Sequence, residues 1–248
     1  MSTEIKFYKD RVAINFLAKD AKNGREVYDA MDGYTAIGVL SNQFESAEEG
    51  IEFVNEFKKE VPCVSVGLGA GDPAQGIKAA TIAANTNPGH VNQVFTSAGY
   101  ASGALMMNKD KTTKINVLMS PTGVVGKVKI NTGERSCKQN DAIIDVETAL
   151  AMLLDMEADS VKFYPMRGLE GLEELKYVAE ASAKMGVKLI EPTGGITVEN
   201  FSEILKVCLN AGVEKVMPHV YGAAINKETK ETDVEIVKDL FNKVKELV

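Results

Sequence analysis

"SVKFYPMRGLEGLEELKYVAEASAKMGVKLIEPT", residues 160–193, reads as strand, helix and strand in one unbroken unit. Residues 160–165 and 187–193 are short runs of mostly apolar, β-favouring residues, each reaching a proline near its end. Between them Leu172, Leu175, Val178 and Ala179 fall on one helical face, and Gly186 supplies the stop. Strands apolar on both faces and separated by helices belong to a parallel sheet that is covered on both sides. Working outward, the same kind of run recurs at 12–18, 35–41, 64–69, 91–97, 115–120 and 215–220, which makes eight strands. Eight strands with intervening helices in 248 residues fit an α/β fold of the (β/α)8 TIM-barrel type better than an open doubly wound sheet of about five or six strands. No Pro/Gly/Ser tract divides the chain, so a single domain over 1–248 is expected.

Helix ends are marked in the connections. Ser46 with Glu49 makes a capping box, and Ile51, Val54 and Phe57 follow on one face. Asp72, Pro73 and Gln75 read as an N-cap, a first helical residue and a side chain reaching back. Thr197 precedes Phe201, Ile204, Leu205 and Cys208, with Gly212 as stop. The last helix starts near Asp233 and carries Ile236, Val237, Leu240, Val244 and Leu247. Residues 99–114 predict only a short helix. After the fifth strand, 121–141 form a long excursion whose alternating "VGKVKI" predicts a small hairpin; long loops at this end of a barrel tend to carry function.

A net charge of −7 with no Lys/Arg run argues against a nucleic-acid or anionic-membrane surface and leaves small molecules as partners. The start "MSTEIKFYKDRV" has no apolar core and no run of 18 apolar residues occurs, so a cytoplasmic protein is expected. Cys63, Cys137 and Cys208 are widely spaced and read as reduced thiols. Two histidines, His90 and His219, are too few for a His-rich zinc site but leave magnesium on carboxylates open; no cofactor or metal is expected.

Lys162 stands out within the strand at 160–165. Side chains alternate in a strand, so Lys162 and Tyr164 share one face while Val161 and Phe163 take the other, against the helices. Lys162 then points inward. A buried ammonium lowers its pKa, and a neutral amine can attack a ketone to form a Schiff base. The alternative is a lysine that snorkels to the mouth or pairs with a buried carboxylate. In "LIEPTGGIT", 189–197, a strand runs into a Gly-Gly corner and a helix cap, an arrangement that holds phosphate on free backbone N–H groups. The small-residue turn in "HVYGAAI", 219–225, lies after the eighth strand, where barrels often complete such a site.

"VKFYP…GLEGLEELK" followed by "IEPTGGIT" resembles "KFFP…GG…LK" followed by "PTGGI" in class I 2-keto-3-deoxy-6-phosphogluconate and 2-keto-4-hydroxyglutarate aldolases, and "VSVGLGAGDP" looks like their "GAGT" turn after strand three. The whole chain looks closer to a divergent branch, the bacterial 2-dehydro-3-deoxyphosphogluconate aldolases of glucosaminate breakdown. The resemblance implies Lys162 as the Schiff-base lysine and Thr193 beside the bound keto acid. It implies Gly194 and Gly195, with Gly222 and Ala223, around the sugar phosphate, a keto-acid sugar phosphate as substrate, and a homo-oligomer.

The pattern departs from that family on strand two. Family members carry a glutamate acid/base there and an arginine shortly after it, whereas "AIGVLSNQFE" has Gly38 at the glutamate's place and no arginine. Glu191 is the candidate acid/base, since it shares the inward face with Thr193 on the strand next to Lys162; alternatively it is only the buried partner of Lys162. Arg167 and Arg135 are candidates for the carboxylate, Asn42 and Gln43 for hydrogen bonds, and His219 for the mouth of the site. The alternative for each arginine is a solvated loop charge, and for His219 a structural role. The expected activity is reversible cleavage of 2-dehydro-3-deoxy-6-phosphogluconate to pyruvate and glyceraldehyde 3-phosphate, with 4-hydroxy-2-oxoglutarate as a further candidate substrate. The competing expectations are a metal-dependent barrel lyase holding magnesium on Glu191, and a non-catalytic sugar-phosphate-binding barrel.

Overall fold

The computed structural model describes residues 3–110 and 112–248. Strands β1 (Ile14–Leu17), β2 (Thr35–Leu40), β3 (Val64–Gly67), β4 (Gly89–Val94) and β5 (Lys114–Pro121) alternate with helices α1 (Ala21–Ala30), α2 (Ala47–Phe57), α3 (Gly76–Thr86) and α4 (Ala98–Met107). Two short strands, β6 (Lys127–Lys129) and β7 (Ile143–Asp145), precede α5 (Val146–Asp155). The order then resumes with β8 (Ser160–Phe163), α6 (Leu172–Met185), β9 (Leu189–Pro192), α7 (Phe201–Asn210), β10 (Lys215–Val216) and α8 (Val234–Leu247).

Strands β1 to β5 and β8 to β10 pair in chain order as one parallel sheet, the eight strands expected. The sheet is curled, and its outermost strands carry contacts to each other. Parallel bridges join Val12 to Val216 and Asn15 to His219, with Asn15 N donating to Pro218 O and Val220 N to Asn15 O, both at 2.9 Å. Alternation along the strands sorts the side chains. Val64, Val66, Val91, Val117, Met119, Val161, Phe163 and Ile190 join the large cluster under the helices. The opposite phase faces the inside of the curl. At its amino-terminal end Ala13, Ala36, Cys63, Leu189 and Met217 form a separate apolar plug with Ile5. One step along each strand the interior turns polar, a departure from the branched apolar layers usual in such folds.

Local signals mostly settle the helix ends. Ser46 accepts from Glu49 N at 3.2 Å, and Asp72 from Ala74 N at 3.0 Å. Thr197 and Asn200 cap each other's backbone, so the turn 197–200 leads into α7. Two expectations change. The connection at 99–114 holds a ten-residue helix, α4, rather than a short one. It begins early because residues 95–97 form a tight turn instead of extending β4, held where Phe95 N donates to Thr132 Oγ1 and Ser97 Oγ to Gln93 Oε1. The excursion does form antiparallel structure, but β6 pairs on the extended end of β5 (Ser120 opposite Lys129) and on β7. All three cysteines are free, and among the described residues no helix is long and apolar enough to cross a membrane.

Helix α8 covers the junction between the first and last parts of the chain, and its start depends on Asp233, which accepts from Glu235 N and Ile236 N. Asp233→Ala is expected to lower the unfolding free energy by about 1 kcal/mol, measured as a shift of the urea midpoint at constant slope.

Candidate active site

Lys162 lies opposite Leu118 of β5 and Glu191 of β9 in the strand register, which puts its amine among the polar side chains of the interior. Ser65, His90, Asn92, Asn116, Ser160, Lys162, Glu191 and His219 are all buried there. Their hydrogen bonds form one network. Glu191 Oε1 lies 3.0 Å from His90 Nε2 and 2.6 Å from Ser160 Oγ, and Glu191 Oε2 lies 2.6 Å from His219 Nε2 and 2.9 Å from Asn116 Nδ2. A carboxylate can only accept, so each imidazole carries its proton on Nε2 and presents a lone pair at Nδ1. Ser65 Oγ, 2.7 Å away, donates to Nδ1 of His90 and in turn accepts from Asn92 Nδ2 at 3.1 Å. Nδ1 of His219 faces Lys162 Nζ at 3.3 Å and the Tyr221 hydroxyl at 3.0 Å. Lys162 also donates to Asn92 Oδ1 at 2.8 Å.

Burial dominates the electrostatics. It pulls the Lys162 amine down from 10.5 to about 8, against the opposing pull of the Glu191 charge. Burial and then the charge of Lys162 push the His219 imidazole down to about 3, with the Glu191 hydrogen bond working the other way. Burial by itself would raise the Glu191 carboxyl, but the surrounding His90 and His219 rings hold it at about 2. Near neutral pH this places an anion at Glu191, an uncharged imidazole at His219 and an amine with an appreciable neutral fraction at Lys162.

Above this layer opens a cavity of about 580 Å³ at the carboxyl ends of the strands. Leu17, Leu40 and Leu68 form its apolar wall; Lys162, Tyr164, Thr193, His219 and Tyr221 supply its polar side chains. Residues 194–197 and 222–223, with residues 67–71, complete the lining. Gly194 and Gly195 have φ of +100° and +74°. A Cβ at Gly195 would sit 2.5 Å from Gly168 N, so neither the conformation nor the space suits another residue. Among the described residues the amides of Gly194, Gly195 and Ile196 donate to no protein acceptor, which leaves them for an anionic ligand.

The structure thus brings together Lys162, Thr193, Gly194, Gly195, His219, Gly222 and Ala223 around one cavity, with Glu191 behind His219 and outside the lining. Asn42, Gln43, Arg135 and Arg167 are exposed and do not line it. Gln43 borders a separate cavity beside Phe53, and Arg135 borders another beside Pro73. Among the described residues, Lys162 is therefore the sole Lys or Arg side chain in the lining. The sequence reading missed His90, Asn92, Asn116, Ser160 and Tyr221 as members of the site. The available signal was polar residues at inward positions of otherwise apolar strands.

His90, Glu191 and His219 have ligand atoms within 4.8 Å of one another, the one such group of metal-ligating side chains found among the described residues. Their donor set does not suit an ion. Both carboxylate oxygens already accept two bonds each, and both Nε2 atoms would have to lose the protons that make two of those bonds.

A family model described as KDGP aldolase matches residues 8–228. A 2-dehydro-3-deoxy-phosphogluconate aldolase of Salmonella typhimurium is 51% identical over 245 residues, which covers 99% of both chains. Among solved structures, KGPDC from Streptococcus mutans superposes with a TM-score of 0.59 at 12% identity, covering 96% of this chain and 99% of that one. Thiamine phosphate pyrophosphorylase from Pyrococcus furiosus does so with a TM-score of 0.57 at 16% identity, covering 97% and 98%. At such identities these two structures speak to the fold alone.

The network makes a stability prediction. Glu191→Ala strips the acceptor from two imidazoles, Ser160 and Asn116, and is expected to cost about 3–5 kcal/mol, read from urea unfolding. The native protein should also lose stability in acid. His219 resists protonation below its unfolded value of 6.5, and the Glu191 contribution, present above its unfolded value of 4.5, fades as pH falls towards about 2.

Proposed function

The chain belongs to the KDGP aldolase family, and on that premise we propose that it is a class I aldolase that reversibly cleaves 2-dehydro-3-deoxy-6-phosphogluconate to pyruvate and glyceraldehyde 3-phosphate. The observation that carries this reading is the Lys162 amine, buried at the base of the cavity with its pKa drawn down to about 8. In the neutral form it attacks the C2 ketone. The resulting protonated imine withdraws the electron pair of the C3–C4 bond, so that cleavage leaves an enamine instead of a free carbanion.

Other features fit the same substrate. Thr193 shares the cavity lining with Lys162, which supports its assignment beside the bound keto acid. With the arginines outside the cavity, the anionic ends fall to backbone amides, those of Gly194, Gly195 and Ile196 together with the turn at Gly222 and Ala223. 4-Hydroxy-2-oxoglutarate, which lacks the phosphate, would forgo that part of the binding. We read the curled sheet as a closed (β/α)8 barrel forming one domain over 1–248; the bridges Val12 to Val216 and Asn15 to His219 support closure. Glu191, which sits outside the cavity with four donors around it, is read as a buried support for its neighbours rather than as the group that handles substrate protons.

Three measurements test the reading. Lys162→Met should lower kcat by about a thousandfold or more while the fold survives, because the change removes a buried charge without adding one. The native kcat/KM should rise with pH and level off above about 8, since only the neutral amine attacks. Prolonged EDTA treatment should leave activity unchanged; a loss restored by magnesium would favour a metal-dependent lyase instead.

A further inference from the structure

The strand-two glutamate that handles protons in the resembling aldolases has no counterpart here, and Glu191 does not reach the cavity. The structure points elsewhere. Behind Lys162 the side chains that both face the cavity and connect to the Glu191 carboxylate are His219 and, through it, Tyr221, whereas Thr193 reaches only the Glu191 backbone carbonyl. We propose that Tyr221 and His219 form the proton relay of the reaction, with Tyr221 meeting the substrate oxygens, His219 Nδ1 storing the proton, and Glu191 acting as the positioning residue. The inference rests on the Schiff-base reading of Lys162.

The geometry provides a switch in the hydrogen bonds. The Tyr221 hydroxyl is 3.0 Å from both Asn15 Oδ1 and His219 Nδ1, and it has one proton to give. While Lys162 donates to His219 Nδ1, that lone pair is engaged and the phenol proton goes to Asn15. Once Lys162 is committed to an imine, the lone pair opens to Tyr221. Glu191 fixes the proton on His219 Nε2 from the far side, so Nδ1 always faces the chemistry.

Each step balances. Lys162 attacks as the neutral amine. One of its two protons and one proton from solvent pass by His219 and Tyr221 to the C2 oxygen, which leaves as water, and the other amine proton stays on the imine nitrogen. In cleavage the C4 hydroxyl proton moves to Tyr221 as the phenol proton moves to His219 Nδ1. The C4–O lone pair becomes the aldehyde carbonyl, the C3–C4 pair becomes the C2–C3 double bond, and the imine π pair returns to nitrogen. The same proton then returns to C3 of the enamine, and water releases pyruvate by reversing the first step. The positive charge on the Lys162 nitrogen is one of the causes that hold the His219 imidazole down. Cleavage discharges that nitrogen at the moment His219 takes up the proton, so imidazolium formation becomes easier in the step that needs it.

The test separates imine formation from proton transfer. Pyruvate is incubated with enzyme in D2O and exchange of its methyl protons is followed by NMR, in parallel with borohydride trapping on Lys162 and with kcat for cleavage. Tyr221→Phe is expected to trap pyruvate to the same extent at equilibrium and to keep KM. Methyl exchange and kcat should both fall by about 10²–10⁴-fold. His219→Gln should behave likewise, and Glu191→Gln should lower kcat at unchanged KM and move the acid limb of its pH profile. Methyl exchange within threefold of native in both Tyr221→Phe and His219→Gln overturns the relay while leaving the Schiff base intact. Failure of the native protein to trap pyruvate overturns the Schiff-base reading instead. If His219→Gln does not fold, Tyr221→Phe decides, because it removes one hydroxyl at the cavity wall and keeps the ring.

Discussion

Glu191 is fully buried, and in place of water its carboxylate has hydrogen-bond donors from His90 on β4, Asn116 on β5, Ser160 on β8 and His219 after β10. A charge taken out of water this completely persists only if its lone pairs are met. Strands β4, β5, β8 and β9 and the segment after β10 must therefore keep the register that brings those donors to it. The same bonds dictate which nitrogen of each imidazole is protonated, and so which way the remaining lone pairs face. His219 is thereby turned towards Lys162 and Tyr221, and His90 towards Ser65.

Such a layer is costly for a protein interior. A buried donor or acceptor left without a partner costs about 1–3 kcal/mol, and apolar side chains could fill the same space. The polar layer sits directly beneath a cavity with one cationic side chain and three unused backbone amides. On the proposed reading, local rules of packing are broken where the chemistry needs them broken, as is usual at functional sites.

Much of this arrangement was legible in the chain. The alternation in 160–165 placed Lys162 inward, the eight strand runs appear in the parallel order they imply, the caps at Ser46 and Asp72 are made, and the last helix starts at Asp233. Less was legible where meaning depends on neighbours from other strands. Ser65, Asn92, Asn116 and Ser160 are unremarkable within their own runs and become a network only through cross-strand register. His90 escaped because the fourth strand begins at Gly89, two residues before the run that marks it in the sequence. Loop residues carry the least directional information. Arg167, at φ +58°, and Arg135 are both exposed and point to no part of the cavity lining, although each follows the carboxyl end of a strand. Tyr221 hid within a turn notable for its small residues.

On the Schiff-base reading, one lysine does the covalent chemistry because burial keeps its amine partly neutral, and the network beneath it keeps it aimed at the cavity. The most direct measurement is peptide mass spectrometry of the protein reduced with borohydride in the presence of pyruvate. The account predicts a single reduced pyruvate adduct, located on Lys162. An adduct on a different lysine, or none at all under conditions where the enzyme turns over, would contradict it.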